Sequence, residues 1–276
     1  MKWLGEMAFT AFRRIGRALC RGFKDEEPRG HDSLTAANPR HNDIYIVEFP
    51  KSGVTWLSTL LANMALIESG RKEIVAFPSS GLYIPDVHIC RYIGDVAYAS
   101  PPVRMIKSHS EYNPNYAFII YLVRNPVDVM KSYYRFAGET SPELLASIGS
   151  FDSFCRSEKY GAPAWRRHIR SWLKRQVLTG NKLHLCRYED LVTDAAHELE
   201  KISQGYGWQV CASSIAGAVD RSTMQKMKES EAFHRSVNPC HTITFVGGKD
   251  GTVMAEETRE YVRETCAEEM QFLGYC

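Results

Sequence analysis

A single α/β domain, with a central parallel sheet flanked by helices, is what this sequence predicts, and three observations carry the prediction. Short apolar runs such as Ile44–Phe49 and Phe118–Val123 alternate with longer segments whose apolar residues recur at helical spacing, the pattern of strands buried on both faces beneath crossover helices. One unit, residues 43–68, reads as strand, loop and helix with the build of a P-loop-like phosphate site. The chain is 276 residues long and 44% hydrophobic, enough to bury a core without disulfide or metal staples. Other classes fall away on composition. With 34 basic against 32 acidic residues and a formal net charge of +2, nothing announces a nucleic-acid partner. A content of 19 Gly and 12 Pro excludes collagen and low-complexity chains. No apolar run comes near the ~20 residues that cross a bilayer. Cys20, Cys90, Cys155, Cys186, Cys211, Cys240, Cys266 and Cys276 are scattered, with no C-x-x-C and no zinc-like spacing. No metal is therefore expected, and a reducing, cytoplasmic setting is.

The elements follow in order. Residues 1–24 form a basic amphipathic N-terminal helix, with Phe12, Ile15, Leu19 and Phe23 on one face and Arg13, Arg17, Arg21 and Lys24 on the other. It reads either as peripheral contact with the anionic inner face of a membrane or as a helix packed on the body with its basic face in water. It lacks the apolar core and cleavage site of a secretory signal. Residues 25–42 are a polar linker, and 43–276 are the α/β domain. Within it, strands are predicted at Ile44–Phe49, Val103–Lys107, Phe118–Val123 and Lys182–Cys186. Helices are predicted at Val54–Glu68, Val127–Phe136 and Ala195–Ile202, across 142–178 and 212–230, and as a closing helix at Glu256–Leu273.

Between the first strand and helix lies Pro50-Lys51-Ser52-Gly53-Val54-Thr55. A helix start offers unpaired N–H groups and a partial positive charge, which together bind phosphate. Gly53 lets an anion come close to the backbone, Lys51 adds a charge, and Ser52 and Thr55 add hydroxyls. The ATP-type motif G-x-x-x-x-G-K-[ST] is not present, because Lys51 precedes Gly53 and no glycine occupies 44–52.

The spelling F-P-K-S-G-x-T-W resembles the 5′-phosphosulfate loop of sulfotransferases that use 3′-phosphoadenosine 5′-phosphosulfate (PAPS), the cytosolic type in particular. The resemblance implies that Lys51, Ser52, Gly53, Val54, Thr55 and Trp56 hold the donor. Residues 121–136 (YLVRNPVDVMKSYYRF) are similar to the family's 3′-phosphate motif, which implies that role for Arg124 and Ser132. Met105-Ile-Lys-Ser-His109 ends another strand, at the edge where parallel sheets place ligands. It is similar to the family's Lys-Thr-His, which makes His109 the implied general base. Weaker matches place Tyr188 at the adenine and Ser222 and Met224 at the nucleotide, and set residues 150–175, including Trp165 and His168, beside the acceptor pocket. In the late loop at 245–252, Gly248 and Lys249 survive, but the family's arginine and tryptophan do not.

The implied reaction is in-line transfer of a sulfuryl group from PAPS to a hydroxyl acceptor: a small molecule, a glycan or a glycolipid. His109 takes the proton, Lys51 stabilises the leaving 5′-phosphate and Lys107 the transferring group. The alternatives are a P-loop kinase and a nucleotide-binding module without turnover. The resemblance leaves the oligomeric state open.

Overall fold

A computed structural model describes residues 35–90, 92–94, 104–179, 182–237 and 253–275. The predicted N-terminal helix, most of the linker, and Gly248 and Lys249 lie outside them.

Among the described residues the strands β1 (Ile44–Glu48), β2 (Met105–Ser108), β3 (Phe118–Val123) and β4 (Lys182–Arg187) form one parallel sheet in the order β2-β1-β3-β4. The α/β expectation is borne out, and the reason lies in side-chain alternation. Tyr45, Val47, Ile106, Ile119 and Tyr121 enter an apolar layer on one face, while Ile44, Ile46, Ile120 and Leu122 enter a second layer on the other. A strand with apolar neighbours on both sides favours apolar residues at both alternating positions, hence the continuous runs, with Glu48, Lys107 and Ser108 coming only at the carboxyl ends.

Helix α1 (Val54–Glu68) follows β1 and supplies the second layer. Its Leu57, Leu60, Leu61 and Met64 are fully buried, each contributing about 1.5–3 kcal/mol. Two short helical turns come next, a 3₁₀ turn at Phe77–Ser79 and α2 (Ser80–Tyr83). After β3 come α3 (Pro126–Thr140), α4 (Pro142–Ile148), α5 (Phe151–Arg156) and α6 (Ala162–Thr179). Asn125 caps α3 by accepting from the Val127 N–H. After β4 come α7 (Tyr188–Thr193), α8 (Ala195–Tyr206), α9 (Ala212–Arg221), α10 (Met224–Val237), α11 (Glu256–Thr265) and α12 (Ala267–Leu273).

Three predicted helical stretches are broken rather than continuous. The 142–178 stretch turns at Gly149, with φ 92, and again at Gly161, where a Cβ would sit 2.3 Å from the Cys155 carbonyl oxygen. The 212–230 stretch breaks at Ser222-Thr223 and the closing helix at Cys266. Strand β2 starts at Met105 and runs through Ser108, one residue beyond the predicted end.

Two details of the β1–β2 edge position the site. Pro85–Val87 lies along the outer side of β2, with Lys107 N–H donating to the Pro85 carbonyl at 2.8 Å and Val87 N–H to the Lys107 carbonyl at 3.0 Å. At the opposite end of the strands, Arg104 grips Asp43 with Nε–Oδ1 at 2.8 Å and Nη2–Oδ2 at 2.7 Å. Both side chains are 2% exposed. The same guanidinium donates to the Ile93 and Asn38 carbonyls, each at 2.7 Å, which ties residues 35–42 to the sheet.

Candidate functional site

The site is built at the carboxyl edge of β2, β1 and β3. Beyond β1 the chain makes a tight loop in which Lys51 takes φ 74 and Gly53 φ 115, left-handed conformations that are uncommon for a side chain such as lysine. Ser52 is buried and donates its hydroxyl to the Phe49 carbonyl at 2.8 Å, so it braces the loop from within. Gly53 lies under the Tyr188 ring, and a Cβ there would stand 2.5 Å from a ring carbon. Gly53→Ala therefore meets both left-handed strain and a ring clash. It should lower stability by about 1–3 kcal/mol, read as a fall in thermal midpoint, with the loop rather than the core disturbed.

At the start of α1, the Val54 N–H donates to Glu48 Oε2 at 2.8 Å. Trp56 is buried and donates from Nε1 to the Ser222 carbonyl at 2.7 Å. The Ser222 hydroxyl accepts from Asn63 Nδ2 at 3.0 Å and the residue is fully buried. Ser222, expected at the nucleotide, thus accepts twice from α1 at the α9–α10 corner. Met224 opens α10 beside the same apolar layer, and Thr55 is half-buried in the first turn of α1.

Across the loop, Arg124 follows β3. Its Nη1 donates to the Lys51 carbonyl at 3.4 Å and its guanidinium carbon stands 4.3 Å from the centre of the Tyr188 ring. Arg124 Nε is buried with no hydrogen-bond partner among the described residues. Lys51 Nζ lies 4.2 Å from the centre of the Phe136 ring on α3, the helix that also carries buried Ser132. Burial pulls the Lys51 ammonium down to about 8, helped by the charges of Arg135 and Arg124 and opposed by Glu48. The sequence reading missed Arg135. Its spacing of three from Ser132 on one helix face was the available signal.

On the other side, His109 follows β2. Its Nε2 is 3.3 Å from Asp86 Oδ2 and its Nδ1 is 3.8 Å from Glu48 Oε1, with the imidazole 28% exposed. The His109 N–H donates to His88 Nε2 at 3.0 Å, and the two rings are 5.7 Å apart. Burial works to lower the His109 pKa, but the Asp86 hydrogen bond and the charges of Glu48 and Asp86 outweigh it, and the net shift is upward. Burial raises Glu48 and lowers Lys107. His168, expected beside the acceptor pocket, is core: its Nδ1 pairs with the Tyr121 hydroxyl at 2.9 Å and the ring lies edge-on to Phe49.

The loop, the two lysines, His109, Arg124 and Tyr188 thus share one sheet edge, where cations and an imidazole gather, and Ser132 is buried on α3, the helix that follows β3. Such an array can hold an anion and move a proton beside it. A family model, the sulfotransferase domain, matches residues 41–274. The chain belongs to the sulfotransferase family. This sulfotransferase is 27% identical to Sulfotransferase 6B1 of Homo sapiens over 219 residues, 75% of this chain and 69% of the relative. It is also 27% identical to Sulfotransferase 1B1 of Mus musculus over 207 residues, 68% of this chain and 66% of the relative. Its fold is similar to that of retinol dehydratase solved with androsterone and the inactive cofactor PAP, with TM-score 0.63 at 16% identity over 88% of each chain. Mouse sulfotransferase SULT7A1, solved with PAP, gives TM-score 0.57 at 22% identity over 86% of this chain and 87% of that one. No helix among the described residues of this sulfotransferase is long and apolar enough to cross a membrane.

Proposed function

We propose that this sulfotransferase moves a sulfuryl group from PAPS to a hydroxyl-bearing acceptor, with His109 as general base. The observation that carries the reading is the placement of Lys107 and His109 at the end of β2, beside the left-handed loop and the α1 start that follow β1. The residues present suit an anionic donor: a buried Arg124 Nε without a partner among the described residues, and a loop in which Lys51 and Gly53 take left-handed conformations. In this reading the Lys51–Trp56 segment holds the 5′ end, with Arg124 and Ser132 on the 3′-phosphate and Tyr188 beside the adenine. His109 removes the acceptor's proton as the acceptor oxygen bonds to sulfur. The bond from sulfur to the 5′-phosphate oxygen breaks and its electron pair leaves with adenosine 3′,5′-bisphosphate. Lys51 and Lys107 offset the charge that develops on either side of the sulfur. The acceptor class is an apolar alcohol of the kind found with a solved neighbour, androsterone.

Two measurements test the reading. Adenosine 3′,5′-bisphosphate should raise the thermal midpoint, and ATP with magnesium should not; the reverse would point to a kinase. Labelled PAPS offered with androsterone, retinol, simple phenols and sugars should label at least one of them, and no transfer to any of these would sink the reading.

The pH profile should be a bell. His109 must be unprotonated to act, and its pKa is raised, so activity climbs through a midpoint above the ordinary 6.5 of histidine. Lys51 must be protonated, and its pKa is about 8, so activity falls above that value. An acidic limb below 6 in kcat/KM would contradict the geometry around His109.

A further inference from the structure

We propose that Glu189 and Tyr275 are positioning residues of the donor site: the Glu189 carboxylate, held by the Tyr275 hydroxyl, takes the Asn125 N–H and so sets Arg124 against Tyr188. Which ligand that pair serves rests on the sulfuryl-transfer reading, but the clamp itself stands on geometry.

The sheet brings Arg124 and Tyr188 side by side without holding them. Pairing of β3 with β4 ends at Val123 opposite Arg187, and Arg124 and Tyr188 are the next residue on each chain. There both chains turn away into helices, α3 behind its cap Asn125 and α7 opening at Tyr188. The guanidinium carbon of Arg124 still stands 4.3 Å from the centre of the Tyr188 ring, and the same ring lies against Gly53.

One residue further on, a side chain takes the place of the next rung of the ladder. The Asn125 N–H precedes the first turn of α3, and it donates to Glu189 Oε1 at 3.0 Å. Glu189 thereby does from another helix what the carboxylate of a capping box does within one. Its second oxygen, Oε2, accepts from the Tyr275 hydroxyl at 2.9 Å. With each oxygen bonded to a different element, the carboxylate cannot turn without breaking a bond.

Tyr275 is fixed in turn by the way α12 ends. Gly274 takes φ 72, its N–H returns to the Gln271 carbonyl at 3.2 Å, and the Tyr275 N–H returns to the Met270 carbonyl at 2.9 Å. This is the Schellman stop, which throws the following residue back across the helix end. Arg187 adds a second hold: its Nη2 donates to the Gly274 carbonyl at 3.1 Å, and its guanidinium carbon is 4.6 Å from the centre of the Tyr275 ring. Burial and the Glu189 charge push the Tyr275 pKa upward, so the hydroxyl keeps its proton and remains a donor. The end of α12 is thus bonded, through Tyr275 and Glu189, to the residue after Arg124.

In the proposed reaction Arg124 takes the 3′-phosphate and Tyr188 lies beside the adenine. The clamp therefore acts on donor affinity and not on His109, which follows β2 on the far side of β1.

The test uses the full chain with ¹⁵N-arginine and two readouts. The first needs no ligand. Arg124 Nε is buried, and the Tyr188 ring current should displace its N–H resonance in the wild type. Glu189→Ala and Tyr275→Phe should each shrink that displacement. Glu189→Gln should keep most of it, because the amide oxygen can still accept from Asn125 and the amide nitrogen can donate to the Tyr275 oxygen. The second readout is calorimetry with adenosine 3′,5′-bisphosphate. Glu189→Ala should weaken it about tenfold, the size of one hydrogen bond to a charged group, and Glu189→Gln should restore most of the affinity. With the acceptor found in the labelled-PAPS screen, the loss should appear in the donor KM and not in kcat. Unshifted methyl resonances of Ile120 and Leu122 would show that the sheet beneath is intact. An unchanged Arg124 resonance in both Glu189→Ala and Tyr275→Phe would overturn the proposal. So would an unchanged bisphosphate affinity in Glu189→Ala, or an equal loss in Glu189→Gln. A wild-type protein that does not bind the bisphosphate would sink the donor reading instead, and the Arg124 resonance would still decide the clamp.

Discussion

His109→Ala should lower kcat by about 10²–10⁴-fold, the usual contribution of a positioned general base, while the affinity for adenosine 3′,5′-bisphosphate stays unchanged. The separation follows from where the groups stand. His109 sits beyond β2 between Asp86 and Glu48, whereas the loop, Arg124 and Tyr188 that we assign to the donor gather beyond β1 and β3. Removing the imidazole leaves the second group standing. Labelled PAPS with a turned-over acceptor gives the rate, and calorimetry with the bisphosphate gives the affinity. Transfer within a few-fold of wild type would remove His109 from the mechanism, while a parallel loss of bisphosphate affinity would mean that the ring supports the donor site instead.

Arg104→Met should cost about 3–5 kcal/mol of folding stability, the range for breaking a buried ion pair from one side. The cost comes less from the lost attraction than from what remains. Asp43 would keep a buried carboxylate with its guanidinium partner gone, the Asn38 carbonyl would lose the guanidinium donor, and the Ile93 carbonyl would keep only Asn38 Nδ2 of its two donors. Changing both partners to apolar residues, Arg104→Met with Asp43→Leu, should recover part of that loss, because no charge is then left buried. Denaturant titration of the two variants checks both statements. A single variant within 1 kcal/mol of wild type would show that water reaches Asp43.

The two predictions draw on parts of the molecule that differ in how openly the sequence announces them. Strands β1 and β3 were legible because each is flanked by apolar layers on both faces and so carries an unbroken apolar spelling. The loop was legible because its spelling is short and contiguous. Where the chain breaks a helix was harder to read, since periodicity runs on across a corner: Cys266 ends α11 and begins the approach to α12 without interrupting the apolar spacing. Gly149 and Gly161 were the available punctuation in 142–178, and both mark turns. Least legible were Asp86 and Glu48. Asp86 comes from a segment with no periodic signal that becomes a strand-like edge only by pairing with Lys107. Glu48 is a charged residue at the end of an apolar strand, and its sense emerges only once the α1 amide and His109 are beside it.

The strand order also acts as a ruler. Neighbouring strands stand about 4.8 Å apart, so the ends of β2 and β3, on either flank of β1, are separated by roughly twice that, about 10 Å. The proposed proton acceptor and the proposed 3′-phosphate arginine are thus set apart by a distance that hydrogen-bonded backbone fixes, not by flexible loops. Registers such as Lys107 opposite Ile46 and Leu122 opposite Glu48 set the depth of each group along the edge as well. A slip of β2 by one residue would turn Lys107 to the opposite face. The spacing of the reacting groups is therefore as stable as the sheet itself, and the loops are left free to vary with the acceptor.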